Sequence, residues 1–499
     1  MTDADGTISY GRRATELAAV APEQPAFVFA PREGSERIVT RRTLDERSNQ
    51  VARLLIEHGA GPGRLIALAL ANSPEHVFTS MGAWKAGAGV LPVRSDLPEW
   101  ERERLLEVAG VVLVVGDVAA SRVPVVTPTA IAASVDRSAD PLPDVVAHPA
   151  VAVASSGSTG RPKVIVSPHP GEGIPGSVPP MPSAYLDLPD RLPQLVPAPL
   201  YHTNGFSIAQ SLLFGGESMV LMEKFDAVQA LDLVERHRIA CFTAVPTMLA
   251  RMARVDGVRD RDLSSLVYVM QGGSACPAWV VEAWNDLVGP ERFFMSYGST
   301  ERVGLTILRG VDWLTHRGSC GAPYQTEIRI LDDAGRDLPV GEVGEIFMRR
   351  PDDPAPQFEY VGAEAPVRTE DGFTTIGDLG WLDADGYLYI ADRRVDLIVT
   401  GGANVYPAEV EAALSEHPDV GDVVVIGLSD PEWGRRVHAI VEPTDPTAPP
   451  SPEVLDAFVR ARLAAYKVPK DYELVERLPR TDAGKINRGL LRAEREPAG

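Results

Sequence analysis

Apolar positions along this chain follow two alternating rhythms. In TLDERSNQVARLLIEH (Thr43–His58), Leu44, Val51, Leu54 and Leu55 share one helical face, with Asp45 and Glu46 near the start, and predict an amphipathic helix. GRLIALALAN (Gly63–Asn72) and VVLVVGD (Val111–Asp117) are continuous apolar runs of the kind buried strands have, and PEHVFTSMGAWKAGA between them returns to helical spacing. The alternation resumes from Ser218 to Gly273 in SMVLM, DAVQALDLVERHRI, ACFTAVP, PTMLARMARV and SLVYVMQGG, strand and helix in turn. Such a sequence predicts parallel, doubly wound sheets whose ligands bind beyond the strand C-termini, which singles out Gly272 and Gly273.

From about Gly321 the pattern changes to short β-rich pieces (EIRIL, GEIFM, YLYIA). After ADRRVDLIVTGG (Ala391–Gly402) a compact segment of βαβ type runs on, so a domain boundary is expected near Asp392–Asp396. Two stretches dense in Pro and Gly, Ser167–Pro189 and Glu442–Glu453, read as loops or linkers.

Bulk properties narrow the function more than the fold. A chain of 499 residues exceeds one hydrophobic core and implies at least two domains. Its net charge of -21 argues against nucleic acid or an anionic membrane surface as a partner. Cys241, Cys276 and Cys320 lie far apart without CxxC spacing, so neither a disulfide framework nor a zinc site is expected. The N-terminal segment has no basic start leading into an apolar core, and no run approaches the ~18 apolar residues of a membrane span. Together these predict a cytoplasmic enzyme.

Four stretches carry candidate chemistry. VASSGSTGRPKVIV (Val153–Val166) groups Ser155, Ser156, Gly157, Ser158, Thr159 and Gly160 before Lys163. It fails the Walker pattern, because Arg161 and Pro162 separate Gly160 from the lysine, yet its hydroxyls, backbone N–H groups and ammonium suit a polyphosphate. In isolation it reads equally as a polar turn between strands. MSYGSTERVG (Met295–Gly304) offers Tyr297 to stack on a base, Thr300 for a phosphate and Glu301 for the magnesium a nucleoside triphosphate brings, although alone it reads equally as a surface turn. TIGDLGWLDADGYLYIADRRVDLIVTGGANVYPAEVE (Thr375–Glu411) supplies Asp378 and Arg393, suited to ribose hydroxyls, while its DADG (Asp383–Gly386) reads as a hairpin turn. LPRTDAGKINRGLLR (Leu478–Arg492) places Lys485 in a loop before a short helix. The chain holds only six lysines (Lys85, Lys163, Lys224, Lys467, Lys470 and Lys485), so each compact ammonium stands out against an arginine-rich background.

Taken in order, SSGSTGRPK, PLYHTNGF, YGSTE, GDLGWLDADGYLYIADR, GGANVYPAEVE and RTDAGKINR resemble the adenylate-forming superfamily of acyl-CoA synthetases, nonribosomal adenylation domains and luciferases, from about Thr43 to Arg492. The resemblance implies an α/β protein: a large N-terminal domain (1–391) of two doubly wound α/β subdomains plus a β-rich one, a hinge (392–396), and a small mobile α+β C-terminal domain (397–499). It implies ATP and Mg²⁺, with a carboxylic acid converted to an acyl-adenylate and pyrophosphate, and an acceptor then displacing AMP. In that scheme Lys485 bridges the carboxylate and the α-phosphate, and Lys163 with the hydroxyl loop steadies pyrophosphate. Thr300 and Glu301 hold the α-phosphate and metal, and Asp378 and Arg393 fix the ribose. Gly272, Gly273, Ser274, Tyr297 and Gly298 frame the adenine, while His202, Asn204, Phe206, Gly273 and Gly298 line the acyl pocket.

GGANVYPAEVE and SDPEWGRRV (Ser429–Val437) resemble the acyl-CoA synthetases. They place Gly401, Gly402, Trp433, Arg435, Arg436 and Lys467 near coenzyme A, although the basic residues read equally as a solvated face. Val395 stands where the family's hinge carries Asp or Lys, with Asp396 next. PLYHTNGFSIAQ (Pro199–Gln210) lacks the aspartate with which amino-acid-activating relatives pair an α-ammonium, so an aromatic or aliphatic acid without one is expected. The expected activity is a carboxylate–CoA ligase, acting as a monomer or homodimer on small molecules. An amide bond synthetase, in which an amine captures the adenylate, is the first alternative, and a non-catalytic AMP-binding protein the second.

Overall fold

The computed structural model describes residues 6–118, 121–156, 162–176, 181–188, 192–352, 358–393, 395–400, 403–481 and 484–496, with the backbone alone at Ser155, Ser156, Pro162, Met181 and Arg393. The apolar runs form strands with both faces covered. Leu65–Ala69 is buried along its whole length and lies between Gly89–Pro92 and Leu113–Gly116 in a four-stranded parallel sheet. A nine-stranded sheet contains Pro25–Ala30, Met219–Met222, Gln194–Val196, Cys241–Ala244, Tyr268–Gln271 and Phe293–Gly298 as parallel neighbours, with antiparallel strands at both edges. Parallel strands need crossovers, and these are the helices seen in the apolar periodicity. The first of them begins at Arg41, two residues earlier than its periodicity suggests, because the Thr40 hydroxyl caps it by accepting the Thr43 N–H at 3.1 Å.

Glu327–Leu331, Gly344–Arg349, Asp378–Leu382 and Leu388–Arg393 make the expected β-rich piece, an antiparallel sheet. Asp383–Gly386 is the turn between its last two strands, closed by the Gly386 N–H on the Asp383 carbonyl at 3.1 Å. Beyond residue 395 the chain has a core of its own, built on Val410, Leu414, Val425, Val437, Val441 and Leu455. There Val420–Asp430 pairs antiparallel with Gly434–Pro443, and a helix at Pro452–Arg460 carries the chain to Asp471–Leu474, parallel to Gly434–Pro443. The three cysteines are free thiols, and among the described residues no helix is long and apolar enough to cross a membrane.

The N-terminal core encloses one titratable group with a measurable consequence. His76 is 1% exposed, its Nε2 has no hydrogen-bond partner among the described residues, and burial lowers its pKa to about 4. The folded state therefore keeps this imidazole neutral while the unfolded chain protonates it below its ordinary value near 6.5. Its contribution to stability is fully present above that value and is lost as pH falls from about 6.5 toward 4, by up to about 1.4 kcal/mol per pH unit. Urea unfolding across this window is expected to show that slope, and His76→Leu to flatten it by about one proton.

Candidate active site

Three segments distant in sequence converge on one carboxylate. Ala152–Ser156 and Pro162–Val166 form an antiparallel hairpin with Ser155 opposite Lys163, and Glu359–Val361 adds a third strand with Tyr360 opposite Ile165. Tyr360 thus lies beside Lys163, whose Nζ sits 4.0 Å from the centre of its ring. Both reach Glu301, with Lys163 Nζ 3.1 Å and the Tyr360 hydroxyl 2.8 Å from Oε1. Glu301 is 7% exposed. Burial alone raises its pKa, but the charge of Lys163 and the Tyr360 hydroxyl outweigh burial and hold the carboxyl below its ordinary value. An ionised carboxylate is thereby maintained inside the protein. Gly157, Ser158, Thr159 and Gly160 lie outside the described residues.

The next two strands organise a second cluster. Tyr297, near the end of Phe293–Gly298, donates its hydroxyl to Asp378 Oδ2 at 2.7 Å. Asp378 is buried and faces Arg393 directly across the Asp378–Leu382 and Leu388–Arg393 pair. Gly272, Gly273 and Ser274 follow the C-terminal end of Tyr268–Gln271, where Gln271 Nε2 donates to the Ser274 carbonyl at 2.7 Å. Gly298 ends the adjacent parallel strand. These residues occupy the ligand-binding end of a parallel sheet.

His202 and Thr203 start the helix Thr203–Gly215. Their position is pinned from below by buried Asn72, which donates to the carbonyls of Ala198 and Met222 at 3.1 and 2.9 Å and accepts the Leu200 N–H at 2.7 Å. Gly205 is required here, because a Cβ would stand 2.5 Å from the Pro199 carbonyl oxygen. The Thr203 hydroxyl meets that of Thr300 at 3.0 Å. His202 occupies the N-cap position but its side chain makes no capping bond. Burial, and then the positive charges of Lys485 and Arg94, lower its pKa to about 3, so the imidazole is neutral at working pH. Asn204 is half-buried in the first turn. Phe206, expected at the acyl pocket, falls on the opposite face and packs its ring against His76 and Trp84 at 6.2 and 6.0 Å.

Lys485 arrives from the C-terminal domain. It is exposed, yet its charge acts on His202, so the loop that carries it lies over the N-terminal site. Gly484 fixes this approach: its φ is +71°, and a Cβ there would meet Thr247 Oγ1 at 2.7 Å. Gly484→Ala is therefore expected to slow acid-dependent ATP–pyrophosphate exchange by about tenfold, equivalent to about 1.4 kcal/mol of lost positioning. Thiolysis of a supplied acyl-adenylate is expected to fall less, and comparing the two rates checks this.

The residues expected to meet an acceptor are differently engaged. Lys467 Nζ is held by both oxygens of Glu409 at 2.6 and 2.7 Å, so its charge is already paired. Arg436 pairs with Asp471 at 2.6 Å, and Arg435 lies half-buried opposite Ser429. Trp433 is 41% exposed, with Lys470 Nζ 5.0 Å from its ring centre. Gly401 and Gly402 lie outside the described residues. Sequence reasoning missed Tyr360, Thr203, Arg94 and Thr247; of these only Thr203 sits beside a predicted residue within a quoted motif. His316, Asp383 and Asp385 form a group whose geometry suits a metal ion, but Asp383 there already serves His316, the Tyr389 hydroxyl and the turn's own N–H groups.

A family model for AMP-binding enzymes matches residues 15–352, and one for the AMP-binding enzyme C-terminal domain matches residues 409–485. A feruloyl-CoA synthase from an Amycolatopsis species is 35% identical over 469 residues, covering 91% of this chain and 94% of that protein. The o-succinylbenzoate CoA synthetase of Bacillus subtilis, solved with its acyl-adenylate intermediate, superimposes with a TM-score of 0.81 at 27% identity, over 97% of this chain and 98% of that one. An amide bond synthetase from Marinactinospora thermotolerans superimposes with a TM-score of 0.77 at 27% identity, over 97% and 99% of the two chains.

Proposed function

Because this chain belongs to the AMP-binding enzyme family, we propose that it joins a carboxylic acid to coenzyme A through an acyl-adenylate, as an AMP-forming acid–thiol ligase. The observation that carries this is a lysine from one domain brought to the reaction centre of another. Lys485 acts on His202, His202 adjoins Thr203, and Thr203 touches Thr300, next to the Glu301–Lys163 pair.

In the first half-reaction a carboxylate oxygen attacks the α-phosphorus of ATP, and the bond to the β-phosphate breaks to release pyrophosphate. Two anions must meet, so charge neutralisation and positioning supply most of the rate. Lys485 offsets the charge where carboxylate and α-phosphate approach. Neutral His202 closes that side without adding a proton to the exchange. Thr300 offers a hydroxyl to the α-phosphate, and Lys163 a charge to the departing phosphates. Asp378, oriented by Tyr297, accepts from the ribose. Glu301 fits the divalent ion that accompanies ATP, since it is a buried oxygen ligand held ionised. That ion, when bound, neutralises the phosphate oxygens.

In the second half-reaction the thiol sulfur of coenzyme A attacks the acyl carbonyl and AMP leaves. The loop bearing Lys485 then has to withdraw, and the contacts around the hinge support a pivot between Asp392 and Asp396. Asp392 Oδ2 accepts the Ala408 N–H at 2.9 Å, whereas Asp396 pairs with Arg488 and Arg492 of the C-terminal helix at 3.4 and 3.6 Å. Val395 between them is 56% exposed. The accessible side of the Thr203–Gly215 helix presents no charge, which favours an acid without an α-ammonium.

Acid-dependent exchange of pyrophosphate into ATP tests the adenylating step. Exchange with at least one aromatic or aliphatic acid is the expected result. No exchange across a broad panel would return the chain to the non-catalytic AMP-binding alternative.

A further inference from the structure

Lys485 belongs to no strand or helix, so the direction of its backbone has to come from other contacts. The chain just before it is moored to the antiparallel pair Val420–Asp430 and Gly434–Pro443, at the point where Asp422 and Glu442 stand opposite each other. Both carboxylates hold it. Glu442 accepts the Leu478 N–H at 2.7 Å, and Asp422 takes the Arg480 guanidinium on both oxygens, the Oδ1 contact being 2.8 Å. Leu478 is buried in one cluster with Val424, Ile426 and Ile440, which fixes the near end of the segment.

The fork of Arg480 reaches further than Asp422. Its Nη1 donates to the Gly484 carbonyl at 3.0 Å and its Nη2 to the Val423 carbonyl at 3.2 Å. The Gly484 carbonyl and the Lys485 N–H belong to one planar peptide group, and that N–H donates to the Thr481 hydroxyl at 3.1 Å. The group is therefore held at both of its polar atoms and resists tilting. Thr481 holds the following peptide as well, its own N–H donating to the Lys485 carbonyl at 2.8 Å, while the Gly484 N–H returns to the Thr481 carbonyl at 2.7 Å. Both peptides that flank the Lys485 Cα are anchored. On the far side Arg488 Nη2 engages the two oxygens of Glu411 at 2.7 and 2.8 Å, and Glu411 accepts the Val425 N–H at 2.8 Å. The strand Val420–Asp430 thus secures the chain before and after the lysine.

We propose that Arg480 and Thr481 are positioning residues for acid activation, a clamp on the Gly484–Lys485 peptide that sets the direction in which the Lys485 side chain leaves the backbone. The clamp lies wholly within the C-terminal domain, so the backbone of Lys485 keeps its direction while that domain turns. Aim matters here because the ammonium rides on a flexible stem, and a displacement of about 1 Å at a reacting centre can cost about 100-fold in rate. A guanidinium suits the task, since one planar fork reaches a carboxylate and a carbonyl together. The inference rests on the adenylating role of Lys485 and adds the residues that aim it.

The test measures acid-dependent ATP–pyrophosphate exchange, and thioester formation from a supplied acyl-adenylate, in the full chain. The variants are Arg480→Gln, Thr481→Val and Thr481→Ser, each alone and combined with Lys485→Ala. Arg480→Gln and Thr481→Val are each expected to lower kcat for exchange by about tenfold or more, with KM for ATP and acid and the rate of thioester formation all within about twofold. Thr481→Ser keeps the hydroxyl and is expected to retain exchange. In the Lys485→Ala background the same substitutions are expected to cost nothing further, because a clamp has no effect once the group it aims is gone. Losses that multiply with that of Lys485→Ala, equal loss of both half-reactions, or unimpaired exchange in Arg480→Gln or in Thr481→Val overturn the proposal and leave acid activation intact. Absence of acid-dependent exchange in the unaltered chain overturns the underlying activity instead.

Discussion

Lys485→Ala is expected to lower acid-dependent ATP–pyrophosphate exchange by about 10²- to 10³-fold while sparing thioester formation from a supplied acyl-adenylate. The effect is large because the adenylating step brings a carboxylate against a polyphosphate, and this ammonium is the charge the C-terminal domain delivers there. It is selective because the residue belongs to a loop that lies over His202 in this arrangement. Lys485→Arg is expected to rescue only a small part, since a planar guanidinium does not place one compact charge between two oxygens. A second consequence follows at His202. Its pKa of about 3 owes most to burial and next to Lys485, so removing the lysine raises it. NMR titration of labelled histidine in Lys485→Ala would register that rise. Equal loss of both half-reactions would contradict this role for Lys485.

Glu301→Gln is expected to reduce adenylation by about 10²-fold or more and to raise the magnesium concentration needed for half-maximal rate. The substitution keeps the shape of the side chain but removes the charge that Lys163 and Tyr360 compensate. It leaves the Lys163 ammonium without its buried counter-charge, so part of the loss reflects a displaced lysine. Tyr360→Phe separates the contributions, because it deletes one hydrogen bond to Glu301 and keeps the ring over Lys163. Its effect is expected to be about tenfold, matching one hydrogen bond to a charged group. Rates measured against magnesium concentration distinguish the two variants, since only Glu301→Gln shifts the requirement.

The fold was legible where periodicity is strong. Leu65–Ala69 and Leu113–Gly116 lie within runs that are apolar at nearly every position, and a parallel strand covered on both faces is the economical reading of such runs. The site was legible only as separate parts. Lys163 and Glu301 stand 138 residues apart, and nothing local says that one neutralises the other. Tyr360 carries no motif at all, since it enters through a third strand added to the hairpin. Phe206 illustrates a signal present but unread: its helical phase aligns it with buried Ala209 and the core, about 100° round the helix from exposed Ser207. Lys467 illustrates one that was absent. An ammonium awaiting a phosphate and one engaged by Glu409 look identical in sequence, and only the approach of the Pro407–Ser415 helix decides between them.

The adenylate formed here passes to a thiol, and competition between acceptors tests that step. The most direct test supplies an acid that supports pyrophosphate exchange, together with ATP and magnesium, and divides the reaction between coenzyme A and a panel of primary amines. Coenzyme A is expected to accelerate AMP release and to appear in the product as an acyl thioester. Amide products with no thioester would contradict it and assign the chain to amide bond synthesis.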